Sequence, residues 1–447
     1  MSDSSIHPST TSQISPPPKA AGTPRSKDPT RARPTFAALG VPVPIAAALR
    51  REGRVTPFAI QTAAVPDALA GRDILGRART GSGKTLAFSV PMAARLSSSG
   101  SQRLPGRPRG LVLVPTRELA EQVQRTLRPL AEAVGLRTTT IIGGVSQQPQ
   151  VAALRRGVDI CVATPGRLED LLRQQHLTLA AVEITTIDEA DHMADLGFLP
   201  AVRRLLDATA RGSQRLLFSA TLDRDVDVLV QRYLHDPVRH ATDDTPTDAL
   251  AMTHRLLTVH ARDKAEVVHG LLSGEQRTLA FTRTKHGARA LARRLAAAGV
   301  PSVDLHGNLS QAARTRNLEA FHQGRARVLV ATDIAARGIH VDEVGLVVHV
   351  DPPAEPKAYL HRSGRTARAG NAGTVVTVAT VEQRSAVRSL LRTAKVTVQE
   401  HHVGDPAPPE PPASALPAPR PGASGGSTGH AGRHGVPGRR RRRRRSR

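Results

Sequence analysis

One stretch constrains this chain more than any other: Ala78-Arg79-Thr80-Gly81-Ser82-Gly83-Lys84-Thr85, set between a short apolar run at Ile74-Leu75 and a helical pattern opening at Leu86. Gly81 and Gly83 let backbone N–H groups curl around an anion, because glycine reaches backbone angles that other residues avoid. A helix that starts directly after the loop turns its positive end toward the same point. Lys84 supplies a cation able to reach terminal phosphates, and the Thr85 hydroxyl suits Mg²⁺. Ala78 replaces the first glycine of the generic pattern, so a plain glycine-rich turn is the alternative reading. The strand–loop–helix context favours phosphate. That context also dictates fold class, since a strand feeding such a loop and a crossover helix is the building unit of parallel α/β sheets.

The remaining chain follows the same grammar. Between about 34 and 235, apolar runs recur at Asp73–Gly76, Leu111–Val114, Thr139–Ile142, Asp159–Val162, Ile184–Ile187 and Leu216–Phe218. Each is short and followed by turn residues, as parallel strands buried on both faces should be. Glu118–Leu130 and Arg167–Gln175 carry the helical spacing expected of crossovers. His235 to about Met252 is polar and reads as a linker. A second set of runs follows at Leu256–Val259, Thr278–Phe281, Ser302–Leu305, Val328–Ala331, Leu346–Val350 and Thr374–Val378. The expected organisation is a disordered tail at 1–33, an α/β domain at 34–240, a linker at 241–252, a second α/β domain at 253–400 and a disordered Arg-rich tail at 401–447. No short internal repeat is visible.

Composition narrows the partners. The 447 residues carry 63 basic against 38 acidic side chains, a formal charge of +25, which points to a polyanion. Seven of the bases are Lys and 56 are Arg, as a GC-rich genome would produce, but codon bias does not explain an excess of bases over acids. Residues 401–447 hold ten Arg, including the run 439–445, against Asp405 and Glu410, or +8. Such a tail is an expected extra tether for nucleic acid. Aromatics make up 2%, so bases are not read mainly by stacking and the backbone is the expected handle. The lone Cys161 excludes an intrachain disulfide and argues against a cysteine metal site. The N-terminus lacks the apolar segment of a signal peptide, and no apolar run is long enough to span a membrane. A cytoplasmic, monomeric protein is expected.

A phosphate loop of this type needs an acid at the end of a neighbouring strand. Ile184-Thr185-Thr186-Ile187 leads into Asp188-Glu189-Ala190-Asp191. Asp188 is placed to hold Mg²⁺ through its water shell, and Glu189 to take a proton from an attacking water. Standing alone, the tetrad would read more readily as a solvated helix start; the apolar strand before it and the phosphate loop upstream reverse that.

The tetrad, its phosphate loop and the motifs around them resemble the DEAD-box RNA helicases of superfamily 2, in a bacterial form, from about Phe36 to Val398. Phe36, seventeen residues before Gly53, and Pro57-Phe58-Ala59-Ile60-Gln61 are similar to the family's adenine-reading motif. Pro115-Thr116-Arg117, Gly143-Gly144 and Thr164-Pro165-Gly166-Arg167 resemble the first domain's RNA-contacting motifs, as do Thr282 and Gln311 to Arg314 in the second. Thr332 and Gly338 lie in a motif that the resemblance assigns to RNA and nucleotide. Asp191, Ser219, Thr221, Asp333 and His361 correspond to residues that couple hydrolysis to strand separation. The resemblance implies two tandem RecA-like domains, ATP with Mg²⁺ as cofactors, and RNA held through its backbone with little regard to sequence.

Physical readings stand beside the resemblance. Gln61 offers one donor and one acceptor, as a purine edge requires, and Phe36 is either a stacking partner or core. Arg362 and Arg365 suit bidentate contact with a γ-phosphate that they reach on domain closure. His361 fits a structural hydrogen bond as well as a coupling role. Phe58 replaces a small hydroxyl residue of the family, His340 replaces an Asp that Asp342 stands near, and Ala367 replaces a Gly whose loss is expected to be tolerated. The expected activity is ATP-driven separation of RNA duplexes or remodelling of RNA–protein complexes. A DNA translocase shares the phosphate loop and acidic pair, and an ATP-gated RNA clamp or annealer shares all of these residues.

Overall fold

The structure is a computed structural model in which residues 34–78, 81–242, 252–336, 344–367 and 372–403 are described. The expected tails lie outside these residues, apart from 401–403. So do Arg79, Thr80, Gly338, His340 and Asp342.

The apolar runs of the first half become strands β1 (Ile74–Arg77), β2 (Gly110–Leu113), β3 (Thr138–Ile141), β4 (Ile160–Ala163), β5 (Ile184–Asp188) and β6 (Gln214–Ser219). Together with β7 (Val238–Ala241) they form a seven-stranded sheet in the order β3-β4-β2-β5-β6-β1-β7. Its pairs are all parallel. Alternate side chains along a strand leave from opposite faces. Here both faces are apolar: Leu111 and Leu113 enter one core with Leu75, Cys161 and Leu217, and Val112 and Val114 enter another with Ile74, Ile160 and Phe218. Every strand turn therefore needs a crossover helix on one face or the other, and the helices Lys84–Ser98, Arg117–Glu132 and Pro165–Arg173 supply this cover.

The second half repeats the plan. Strands β8 (Met252–Val259), β9 (Thr278–Phe281), β10 (Ser302–Leu305), β11 (Val328–Ala331), β12 (Leu346–His349), β13 (Gly373–Thr380) and β14 (Gln399–His402) are ordered β10-β11-β9-β12-β13-β8-β14. This is the same permutation as the first sheet. Leu279 and Phe281 face one core, and Ala280 faces the other with Val328, Val330 and Val348. The chain thus contains two RecA-like domains whose topology is repeated although no repeat is legible in the sequence.

Three boundaries shift. Ala241, assigned above to the linker, ends β7, which pairs with β1, and Met252 opens β8, which pairs with β13. His401 and His402, assigned to the tail, complete β14 against β8. Among the described residues, no helix is long and apolar enough to cross a membrane.

Candidate active site

In open parallel sheets, ligands bind where loops leave the carboxyl ends of the strands, and the motif residues gather there. Loops after β3, β4 and β2, adjacent in the sheet, carry Gly144, then Thr164 to Arg167, then Pro115 to Arg117. Loops after β5, β6 and β1, also adjacent, carry Asp188 to Asp191, Ser219 to Thr221 and the phosphate loop. The edge is therefore divided into an RNA-type half and a nucleotide-type half. The second domain divides likewise. Gln311 and Arg314, Thr332 and Asp333, and Thr282 follow β10, β11 and β9, whereas the helix Pro356–Ser363 follows β12.

At the phosphate loop, Gly81 and Gly83 adopt φ of 92° and 90°, the left-handed conformation that glycine makes cheap. A Cβ at Gly83 would run into the Gln61 amide and the Phe58 ring. Lys84, the first residue of its helix, is buried and donates to the Ala78 carbonyl at 2.7 Å. Ser82 and Thr85 are half-buried beside it. Gln61 is 1% exposed; its Nε2 donates to the Gly83 carbonyl at 2.9 Å, and its Oε1 accepts from the Phe58 N–H at 2.9 Å. Its amide thus fixes the loop through one donor and one acceptor. Phe36 settles into the core with Val41, Ile45, Leu49 and Leu86 at 3% exposure, which is the packing alternative. The exposed ring against the loop belongs to Phe58, at 55%.

Asp188 ends β5 and is buried. Burial pushes its carboxyl up to about 7, against the pull of Lys84 and with the added repulsion of Glu189. A divalent cation reverses such an upward push, and the Asp188 carboxylate with the Thr85 hydroxyl is the hard oxygen set that Mg²⁺ takes. Glu189 sits at φ 53°, ψ 52°, a left-handed conformation costing a non-glycine residue on the order of 1–2 kcal/mol. Burial raises its carboxyl. The hydrogen bond from His192, whose Nδ1 lies 3.2 Å from Glu189 Oε2, and the charges of His192, Lys84 and Arg365 outweigh burial and hold it well below the usual range. The carboxylate is thus ionised, buried and oriented to accept a proton, with a basicity that its low pKa limits.

Asp191 links this acid pair to β6. Its Oδ2 accepts from the Thr221 N–H at 3.0 Å and from Oγ1 at 2.9 Å, its own N–H donates to Ser219 Oγ at 3.3 Å, and Ser219 Oγ donates to the Thr221 carbonyl at 2.7 Å. Burial lowers the imidazole pKa of His361 in the second domain, the Asp191 carboxylate opposes that, and Arg365 and Lys357 add to it.

Arg362 and Arg365, grouped above on the γ-phosphate, have different surroundings. Arg362 is buried, its guanidinium clamped on Asp333 (Nε–Oδ1 2.5 Å, Nη2–Oδ2 2.6 Å), donating to the Asp351 carbonyl at 2.8 Å and stacked over Phe281 at 5.1 Å. Its donors brace the second domain through Asp333 and Asp351. Arg365, beyond the end of that helix, bears on Glu189 of the other domain. Ala367 stands in an unfavourable backbone conformation. It lies at φ 54°, so the methyl group that replaces a family glycine is strained. Ala367→Gly is expected to stabilise the protein by about 1 kcal/mol, read as an upward shift of the thermal midpoint.

The RNA-type residues also find partners. Thr116 caps the helix Arg117–Glu132 by accepting from the Leu119 N–H at 3.2 Å, and Pro165 and Gly166 open the helix Pro165–Arg173. Arg167 donates to the Val145 carbonyl at 3.2 Å, pinning the loop of Gly144. Arg117 Nη1 donates to Gln311 Oε1 at 2.9 Å, and Arg314 Nε pairs with Glu118 Oε1 at 2.8 Å. Residues read as separate RNA contacts therefore also join the two domains. Thr282, buried, follows β9, and half-buried Thr332 follows β11.

Two repeated RecA-like domains, with a phosphate loop and acid pair on one and an arginine of the other bearing on that acid, define a two-domain P-loop nucleotide hydrolase of the helicase type. The DEAD/DEAH box helicase family model matches residues 58–229 and the helicase conserved C-terminal domain matches 263–370. The DEAD-box ATP-dependent RNA helicase 20 of Arabidopsis thaliana is 35% identical over 341 residues, covering 75% of this chain and 68% of that protein. The chain belongs to the DEAD-box RNA helicases. It is 41% identical over 365 residues to the chloroplastic DEAD-box ATP-dependent RNA helicase 3B of Zea mays, covering 80% of this chain and 49% of that protein, so it spans about half the length of such relatives. Among solved structures, S. cerevisiae Dbp5 bound to RNA and ADP BeF3 superposes with a TM-score of 0.72 at 26% identity, covering 82% of this chain and 95% of that one. These relatives include plants and a yeast, so the matches do not narrow the origin to bacteria.

Proposed function

We propose that this chain is an ATP-dependent RNA helicase that couples hydrolysis to local separation of RNA duplexes or remodelling of RNA–protein complexes. The observation that carries the reading is the bonded path from Glu189 through His192 and Asp191 to Ser219 and Thr221, with the charge of Arg365 of the other domain acting on Glu189 and Asp191 acting on His361 of that domain. A path of that kind makes chemistry at the acid depend on domain closure. Residues 34–242 hold nucleotide, and 252–403 close over it.

Lys84 and the N–H groups of the phosphate loop bind the phosphates of ATP, with Gln61 bracing the loop and Gly338 a further nucleotide contact. Thr85 and Asp188 hold Mg²⁺, which neutralises phosphate charge when bound. Glu189 takes the proton of the attacking water, and Arg365 stabilises charge on the leaving phosphates. Pro115, Thr116, Arg117, Gly144, Thr164 to Arg167, Thr282, Gln311, Arg314 and Thr332 hold a single RNA strand through phosphates and 2′-hydroxyls, largely independent of sequence. Asp333 contributes by holding Arg362. The Arg-rich tail adds a non-specific tether. The protein acts as a cytoplasmic monomer, and its preference for Arg over Lys fits a bacterial, GC-rich source.

The test is steady-state ATPase activity without nucleic acid, with single-stranded RNA and with matched DNA, for the full chain and for one lacking 404–447. RNA alone is expected to stimulate. Loss of the tail is expected to weaken RNA affinity at low salt and leave basal turnover unchanged. Equal stimulation by DNA would replace the helicase reading with a DNA translocase, and no stimulation would favour an ATP-gated clamp.

A further inference from the structure

Lys357 lies at the second position of the helix Pro356–Ser363, one turn before His361. Its Nζ stands 2.9 Å from Asp195 Oδ1 and 3.0 Å from Asp223 Oδ2, both in the other domain. Asp195 ends the helix Ala190–Asp195, one turn beyond Asp191. Asp223 lies two residues beyond Thr221 and caps the helix Arg224–Tyr233, its Oδ1 accepting from the Val226 N–H at 3.1 Å. One ammonium of the second domain thus bridges two carboxylates that flank the two coupled motifs of the first. All three side chains are partly withdrawn from water.

We propose that Lys357 is a positioning residue that latches the closed arrangement and so sets how strongly nucleotide and RNA binding are coupled to hydrolysis. The proposal rests on the helicase reading given above. Its physics is a three-charge contact. With the ammonium in place, one positive charge offsets the repulsion of two carboxylates beside an already acidic motif; withdrawing it on opening strengthens the repulsion between Asp195 and Asp223. A partly exposed ammonium–carboxylate pair changes an equilibrium by about two- to fivefold, and two sharing one cation by about tenfold. The pairing is perpendicular to the phosphate chemistry: Lys357 approaches the ends of the helices behind Asp191 and Thr221, and acts on catalysis through the position of His361 on its own helix. Neither carboxylate carries a catalytic assignment.

The experiment measures closure directly, by energy transfer between dyes on the two domains, as a function of a non-hydrolysable ATP analogue with and without single-stranded RNA. RNA-stimulated ATPase is measured in parallel. Lys357→Glu is expected to raise the RNA concentration for half-maximal closure and half-maximal ATPase about tenfold, with basal melting temperature unchanged. Lys357→Arg should retain closure. Asp195→Lys combined with Lys357→Glu re-forms one ion pair while leaving the introduced carboxylate beside Asp223, so it should recover part of the loss, which a merely structural role would not. Unchanged closure in Lys357→Glu, or equal loss in the Arg variant and in the charge swap, overturns the latch. If Lys357→Glu fails to fold, Lys357→Gln removes the charge at similar size and is held to the same outcomes. Closure by the nucleotide analogue that responds to Lys357 while RNA stimulates nothing would overturn the helicase reading and leave the latch standing.

Discussion

Glu189→Gln is expected to lower RNA-stimulated ATP hydrolysis by about 10²–10⁴-fold, the usual contribution of a positioned general base. The change keeps side-chain size and the left-handed backbone, and removes only the ionised oxygen. ATP and RNA affinities should therefore hold, because Lys84, Gln61 and the phosphate loop are untouched. The His192 contact at 3.2 Å converts from a charge-assisted to a neutral hydrogen bond, a modest loss beside the missing base. The measurement is single-turnover hydrolysis at saturating RNA, with a thermal melt to exclude unfolding. Wild-type turnover in the variant would sink the assignment of Glu189. A loss confined to RNA affinity would move Glu189 from chemistry to coupling.

Much of this site was legible because the chemistry imposes local sequence. A phosphate loop must follow a buried strand and open a helix, and the acid pair must end another such strand, so apolar runs locate both. Strands β9 and β11 were read to the residue because both of their faces are covered and every position is constrained. Strands β7 and β14 were missed for the converse reason. Each lies at one edge of its sheet and pairs on one side only, and β14, Gln399-Glu400-His401-His402, has no apolar residue. Pairing across sequence leaves no local trace either. The latch of Lys357 joins residues 162 and 134 positions apart, and Arg117 meets Gln311 across 194. The strain at Ala367 was equally hidden, since a sign of φ is a property of the backbone path and not of the residue type.

The roles of the two arginines separate most sharply by substitution. Arg365→Ala is expected to lower RNA-stimulated turnover by about 10³–10⁵-fold, the range for an arginine that stabilises phosphoryl-transfer charge. Arg362→Ala is expected to cost about 3 kcal/mol of stability, because it leaves the Asp333 carboxylate without its bidentate partner, the Asp351 carbonyl without its donor and the Phe281 ring without its stacked cation. Asp333 is a third exposed, which places the cost at the low end for a broken buried pair. Comparing denaturation midpoints with single-turnover rates at a temperature where both variants are folded distinguishes the two effects. Under those conditions Arg362→Ala should retain far more hydrolysis than Arg365→Ala. Equal catalytic losses at equal stability would return Arg362 to the phosphate, and would mean that its clamp on Asp333 opens when nucleotide binds.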